Sequence, residues 1–289
     1  MITADQLEGP QKVTWCTGCG NYGILAALKK AVLEIDTPVH NLVISSGIGC
    51  SGKVPHYIGA LNSFHNLHGR PIPVASGIQL ANKNLEVIVH TGDGDCLGEG
   101  LSHFVHAARR NVNLAVFIHN NGVMGLTKGQ FSPAAPRGYV SNTSPPPPGA
   151  PMDPANPVVL AIAAGATFVA RGFSGDQKAL LNLMVDAVKH RGFAVVDILQ
   201  PCMTWNRQLT WKFYNENTYS LQDNGHDISN RFAALEKALS REGKIPIGVF
   251  YKIEAPDLAV DLALPQDVPL KDHKTNLEDV QKIIDDLMI

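Results

Sequence analysis

The chain has 289 residues, of which 45% are hydrophobic and 17% charged, and its formal net charge is −2. That length and balance fit one large α/β domain, or two small ones, around a well-buried core; without a long basic run, nucleic-acid binding has no support. The polar start MITADQLEGPQK has no apolar signal core, and no apolar stretch approaches the roughly 20 residues of a membrane helix, so the expectation is a soluble, cytoplasmic protein without a membrane contact.

Residues 22–34 (YGILAALKKAVLE) place Leu25, Leu28 and Val32 at helical spacing. NLVISSG (41–47) reads as a short buried strand, followed by a glycine-rich turn over 47–53. LEVIVHT (85–91) is the next strand and runs into GDGD. Residues 98–110 carry Leu101, Phe104, Val105 and Ala108 at i, i+3, i+4 and i+7, a helix. NLAVFIH (113–119) is a strand that ends in NNG. The proline-crowded stretch 127–157 reads as a long ordered loop or lid. Then VVLAIAAGA reads as a helix, TFVAR as a strand, DQKALLNLMVDAVKH as a helix and GFAVVDIL as a strand. Beyond about residue 205 the periodicity weakens, and 229–241 and 276–288 are expected as helices of an arm.

Alternating strands and helices predict an α/β fold: a doubly wound, mostly parallel sheet with helices on both faces. The domain is expected over 1–205, with 206–289 as a C-terminal arm or tail packing on the core and on a partner subunit. Ligands of such sheets gather beyond the carboxyl ends of the strands. Cys50, Asp93, Asn121 and Cys202 each follow a predicted strand, so all are expected along one rim.

GDGD at 92–95 and NNG at 120–122 put Asn121 28 positions after Asp93. A helix of about 13 residues runs about 20 Å and a seven-residue strand returns about 23 Å, so the crossover brings the two side chains together. Mg²⁺ prefers six oxygens in octahedral geometry. Asp93 and Asn121 can each supply one and the Val123 carbonyl a third, leaving the rest to diphosphate and water. Gly92 and Gly94 allow backbone N–H groups to approach a phosphate. Taken singly, both motifs are also ordinary turns; in this order of strand, turn, helix, strand and turn they predict a magnesium–diphosphate site.

The five cysteines are Cys16, Cys19, Cys50, Cys96 and Cys202. An odd number without a signal sequence argues against a disulfide framework. Cys16 and Cys19 precede the first helix, whose N-terminus favours thiolates; with Cys50 and Cys202 they make four sulfurs, the number a [4Fe–4S] cluster needs. A four-cysteine zinc site would use the same ligands. WCTGC also matches a thioredoxin-type redox pair, but no buried strand precedes it, and Cys50 and Cys202 could be plain core thiols. Cys96 is expected to be a spare thiol. GIGCSGKV nearly spells a P-loop but has Val54 where that loop needs Ser or Thr; Lys53 instead reads as a cation near a substrate carboxylate or the diphosphate. His103 and His106 share a helix face and are expected to be structural, whereas His68 is expected to touch the cofactor.

WCTGCGNYGI, GIGCSGKVPHY, LHGRPIPVASGIQLAN, GDGD, NNGVMGLTKGQFSP and PCMTWN, spread over about residues 11–255, resemble the β subunit of 2-oxoacid:ferredoxin oxidoreductases. The resemblance implies that Cys16, Cys19, Cys50 and Cys202 hold a [4Fe–4S] cluster, and that Asp93, Asn121 and the Val123 carbonyl hold Mg²⁺ on thiamine diphosphate. Gly49, His68, Gly92, Gly94, Asp95, Gly125, Leu126 and Thr127 are then expected beside the cofactor. Lys53, Leu126 and Thr127 are expected beside the substrate. Met124 departs from an aromatic common in the family. The implied activity is coenzyme A-dependent oxidative decarboxylation of a 2-oxoacid, with electrons passing through the cluster to ferredoxin and with the site completed by an α subunit. ARGFSGD and QLTWKFYNEN lean toward 2-oxoglutarate over pyruvate. A non-redox thiamine-dependent decarboxylase or synthase subunit and a non-catalytic metal-binding scaffold are the competing readings.

Overall fold

A computed structural model describes residues 2–141, 143–144, 149–240, 243–265 and 268–288. The predicted runs of Val, Ile and Phe become strands because both of their faces find cover. The strands are β1 (Leu42–Ser46), β2 (Asn62–His65), β3 (Glu86–Gly92), β4 (Leu114–Asn120), β5 (Val123–Met124), β6 (Gln130–Phe131), β7 (Phe168–Phe173), β8 (Phe193–Leu199), β9 (Thr218–Ser220) and β10 (Ile245–Lys252). β5 and β6 pair as a small hairpin; the others form one sheet in the order β2-β1-β3-β4-β8-β7-β10-β9. The six strands from β2 to β7 in that order are parallel, and β10 joins β7 antiparallel. This is the doubly wound, mostly parallel α/β fold expected from the alternation of elements.

The helices are α1 (Asn21–Glu34), α2 (Val54–Tyr57), α3 (Pro71–Ala81), α4 (Leu101–Arg109), α5 (Pro157–Ala164), α6 (Gln177–Lys189), α7 (Trp211–Asn217), α8 (Arg231–Leu239), α9 (Leu258–Asp261) and α10 (Leu277–Leu287). α1 and α6 pack together on one face of the sheet, where Ile24, Leu28 and Met184 meet Ile44, Ile88, Phe117 and Val196. α3, α4, α5 and α8 cover the other, where Phe104, Val158 and Ala234 meet Val87, Val116, Ile118 and Val195. Successive strand residues point to opposite faces, so Phe117 and its neighbours Val116 and Ile118 serve different cores. Helix starts follow their caps: Asn156 accepts from the N–H groups of Val158 and Val159 ahead of Pro157, and Asp176 accepts from Ala179.

Three expectations need amendment. The helix expected over 98–110 begins as a π-helical turn, Asp95–Glu99, before α4 starts at Leu101. Residues 54–84, which carry no predicted element, hold α2, the edge strand β2 and α3; the prolines of GRPIPV start α3 rather than forbid it, because Pro71 stands at its first turn. Residues 206–289 are not simply an arm: β9 and β10 extend the main sheet, and α8 buries Ala234 and Ala238 against it. Beyond them, α10 leaves Leu277, Ile283 and Leu287 exposed. Among the described residues no helix is long and apolar enough to cross a membrane.

The pairing of β10 with β7 predicts that truncation after residue 205 removes a wall of the core. We expect that fragment to be insoluble or unfolded, while a chain ending at residue 265 keeps its cooperative melt; circular dichroism of both fragments tests the division.

Candidate active site

β1, β3, β4 and β8 are neighbours and parallel, so the loops after them open on one rim. Gly92 pairs with His119 in the β3–β4 register, which sets Asp93 and Asn121 side by side just past the strand ends. Asp93 is 1% exposed. Its Oδ2 accepts from the Gly122 N–H at 2.9 Å and from the Ser132 hydroxyl. Asn121 Oδ1 accepts from the Val123 N–H at 2.9 Å, and its Nδ2 donates to Gln200 Oε1 at 2.8 Å. Burial pushes the Asp93 carboxyl up to about 6 even though Ser132 and the N–H groups of Gly122, Gly94 and Asn121 favour its ionised form. An anion held in so dry a place gains from a hard cation beside it.

Gly49, His68, Gly92, Asp93, Gly94, Asp95, Asn121, Val123, Gly125, Leu126 and Thr127 all line one cavity at this rim. Ser51, His119 and Met124, which the motif reading did not assign to it, line it too. The Ser51 hydroxyl is buried, finds no hydrogen-bond partner among the described residues and lies 3.2 Å from where a Cβ on Gly92 would stand. An orphaned donor, a buried carboxylate above its ordinary range and a glycine-lined approach fit a diphosphate with its cation. Asp95 has different work. Its Oδ1 accepts from the N–H groups of Ile48 and Gly69 at 3.1 and 2.8 Å, and its Oδ2 from Thr91 Oγ1 at 2.6 Å. His68 Nδ1 lies 2.8 Å from the same Oδ1 and 3.2 Å from Glu99 Oε2. Asp95 therefore clasps the loops that frame the cavity, and Gly47 has no alternative, since a Cβ there would fall 1.7 Å from Asp95 Oδ2.

Cys16, Cys19, Cys50 and Cys202 line a second, adjoining cavity together with Lys53. The two cavities share Cys50, Asn121 and Leu126. Lys53, expected near the diphosphate or the substrate, thus lies on the thiol side of this shared wall. Trp15 donates from Nε1 to the Cys50 carbonyl at 2.7 Å and stacks edgewise on Tyr57, which fixes the WCTGC loop against the 47–53 turn. Burial pushes the Cys19 thiol up to about 12 and that of Cys50 to about 11, and the neighbouring thiols add to both shifts. Burial also raises Cys202, against the N–H groups of Trp205 and Asn206. Among the described residues no group of three or more His, Cys, Asp or Glu side chains converges closely enough to hold a metal ion; the four thiols share a cavity without closing on a point. Their soft donors suit iron–sulfur or zinc chemistry, and a cationic centre would offset the cost of ionising them. Cys96 stays apart, packed in the core beneath α3 and α4.

His103 and His106 lie on a groove between α3 and α4, away from this rim. Ser132 and Trp205 lie inside the motifs NNGVMGLTKGQFSP and PCMTWN but are not singled out there, and Gln200 is a single polar residue between a strand and PC.

The family profile described as "Thiamine pyrophosphate enzyme, C-terminal TPP binding domain" matches residues 47–198. A second, for the C-terminal part of the pyruvate ferredoxin oxidoreductase beta subunit, matches residues 202–263. The chain is 45% identical over 256 residues to a 2-oxoacid:ferredoxin oxidoreductase subunit beta of Sulfolobus sp, covering 85% of this chain and 83% of that one. It is 47% identical over 247 residues to a 2-oxoacid:ferredoxin oxidoreductase 1, subunit beta, of Aeropyrum pernix, covering 82% and 77%. The solved 2-oxoglutarate:ferredoxin oxidoreductase from Magnetococcus marinus, with 2-oxoglutarate, coenzyme A and succinyl-CoA bound, superposes with a TM-score of 0.90 at 37% identity over 98% of this chain and 95% of that one.

The raised Asp93 carboxyl has a consequence for the cofactor-free chain. Its folded value of about 6 lies above the ordinary 3.8, so it stabilises the fold at low pH and that contribution is lost as pH rises through about 6. At 1.36 kcal/mol per pKa unit the loss is about 3 kcal/mol at neutral pH. Asp93→Asn is expected to raise the Tm of the cofactor-free chain at pH 7 relative to wild type and to add little near pH 4. An equal effect at both pH values in calorimetry would contradict the buried-anion account.

Proposed function

The chain belongs to the β subunits of 2-oxoacid:ferredoxin oxidoreductases, and on that premise we propose that it drives coenzyme A-dependent oxidative decarboxylation of 2-oxoglutarate, with electrons leaving through a [4Fe–4S] cluster to ferredoxin. A β subunit implies an α subunit, and the chain carries a thiamine-diphosphate-binding domain. The observation that supports the fuller reading most is the wall shared by the two cavities. Cys50, Asn121 and Leu126 face both the diphosphate turn and the four thiols, so carbon chemistry on one side would have an electron acceptor on the other. The choice of 2-oxoglutarate is supported by the substrate named for the Magnetococcus marinus neighbour.

In this reading Asp93, Asn121 and the Val123 carbonyl hold Mg²⁺, and Ser51 donates its hydroxyl to a diphosphate oxygen. Gly92 and Gly94 keep side chains out of the anion's path. Cys16, Cys19, Cys50 and Cys202 hold the cluster. Lys53, beside Cys50, draws that thiol toward ionisation and offers a positive charge to a substrate carboxylate. Leu126 and Thr127 are exposed on the described chain and would meet substrate and the α subunit together. When bound, thiamine diphosphate supplies the chemistry that breaks the bond to CO₂, and the cluster accepts the electrons. The complex would work in the cytoplasm.

Anaerobic copurification with the α subunit is the test. We expect a brown protein with about four iron atoms per β chain that reduces ferredoxin or viologen faster with 2-oxoglutarate than with pyruvate or a branched 2-oxoacid. Cys202→Ser should bleach the visible spectrum while thiamine stays bound. Ser51→Ala should weaken thiamine diphosphate binding roughly tenfold, the order expected for one hydrogen bond to a charged group. A colourless, zinc-loaded complex would replace the redox reading, and faster turnover of pyruvate would replace the substrate.

A further inference from the structure

Gln200 stands between the two cavities and touches both sets of donors. It follows β8, is 1% exposed, and its backbone N–H donates to the Asn120 carbonyl at 2.8 Å, which fixes the start of its side chain. Its Oε1 accepts from Asn121 Nδ2 at 2.8 Å. Its Nε2 donates to Cys19 Sγ at 3.4 Å, and also reaches the Pro201 carbonyl at 3.3 Å. The two ends of one amide are therefore committed in opposite directions, and the amide cannot be turned over without breaking both contacts.

Each contact has a definite effect. Asn121 Nδ2 donates to Gln200 while its Oδ1 accepts from the Val123 N–H, so Gln200 holds the NH₂ end of that amide and leaves the oxygen on the other side; an NH₂ in the oxygen's place would repel a cation. On the other side, an N–H directed at a buried sulfur favours the electron-rich form of that sulfur. Cys19 is buried, so one fixed donor matters there. We propose that Gln200 is a positioning residue that sets the orientation of the magnesium-binding amide and, through the same side chain, the reduction potential of the thiol-bound centre. Carbon chemistry and electron acceptance are thereby tuned by one group. This inference rests on the reading given under Proposed function, and the experiment separates their failures.

The experiment uses the copurified αβ complex, with two readouts besides turnover: the dissociation constant of thiamine diphosphate in the presence of Mg²⁺, and the midpoint potential of the centre by EPR-monitored titration. Gln200→Met keeps the length of the side chain and removes both polar ends. It is expected to weaken thiamine diphosphate binding about tenfold or more, the usual cost of losing a group that orients a metal ligand, and to move the midpoint to a more negative potential at unchanged iron content. Gln200→Glu places an oxygen before Asn121 again and is expected to recover the cofactor affinity. If Gln200→Met does not fold, Gln200→Asn, one methylene too short to reach both partners, is measured in its place. A midpoint that stays at the wild-type value, or cofactor affinity that is unchanged without the amide, overturns the proposal. Wild-type complex lacking iron or thiamine overturns the functional reading beneath it instead.

Discussion

The site depends on two neighbouring parallel strands ending at the same height. β3 and β4 pair so that Gly92 lies opposite His119, and the chain leaves each strand with a short polar side chain that lines the same cavity. A slip of one residue would turn Asp93 or Asn121 to the other face, because side chains alternate along a strand. Register is protected by burial on both sides: Val116 and Ile118 serve one core and Phe117 the other. The placement of the two oxygens is thus fixed by some of the most buried packing in the molecule, far stiffer than the loops that carry them. Asp95 extends that stiffness outward by holding the 47–49 and 68–69 backbones to the end of β3.

Both cavities concentrate groups whose ionised forms are disfavoured by burial. Asp93 is raised to about 6, and Cys19 and Cys50 to about 12 and 11. A protein selected only for its own stability would dilute these groups or pair them with fixed cations; among them Lys53 is the side chain whose charge eases a thiol, and it acts on Cys50. The arrangement is consistent with a chain whose unfavourable electrostatics are relieved when cations are supplied from outside, so that loading adds to folding stability by mass action. Rigid scaffolding and disfavoured ionisation are complementary here. The first lets the second persist without the loops rearranging to escape it.

Much of this is legible in the sequence, for a physical reason. Strands covered on both faces read as uninterrupted apolar runs, and the turns that follow carry the chemistry, so GDGD, NNG, Cys50 and Cys202 can be assigned to one rim. β10 escapes because IPIGVFYK contains Pro246 and Gly248, which break any alternation, and because its antiparallel place beside β7 is set by tertiary packing. Ser132, just past the β5–β6 hairpin, reaches Asp93 from 39 positions away, a contact that periodicity cannot encode. Asp95 shows the converse: the motif marks it as a cofactor residue, whereas its oxygens are spent on backbone N–H groups and Thr91. Lys53 is recognisable as a functional cation, but which side of the shared wall it faces depends on how the 47–53 turn coils into a short helix.

The five cysteines sort themselves by surroundings more than by spacing. Cys96 is only three positions from Asp93, nearer in sequence than any other thiol, yet the π-helical turn at Asp95–Glu99 carries it into the core under α3 and α4. There burial, Asp95, Asp93 and Asp197 all oppose its ionisation, and no cation among the described residues eases it. Cys50 is less buried and has Lys53 beside it; Cys202 receives backbone N–H groups from Trp205 and Asn206; Cys19 receives Gln200 Nε2. A thiolate forms where donors and positive charge exist to stabilise it. The same sulfur atom is therefore a candidate ligand on one side of the rim and an inert core group on the other, and the fold makes that distinction through the electrostatics it builds around each.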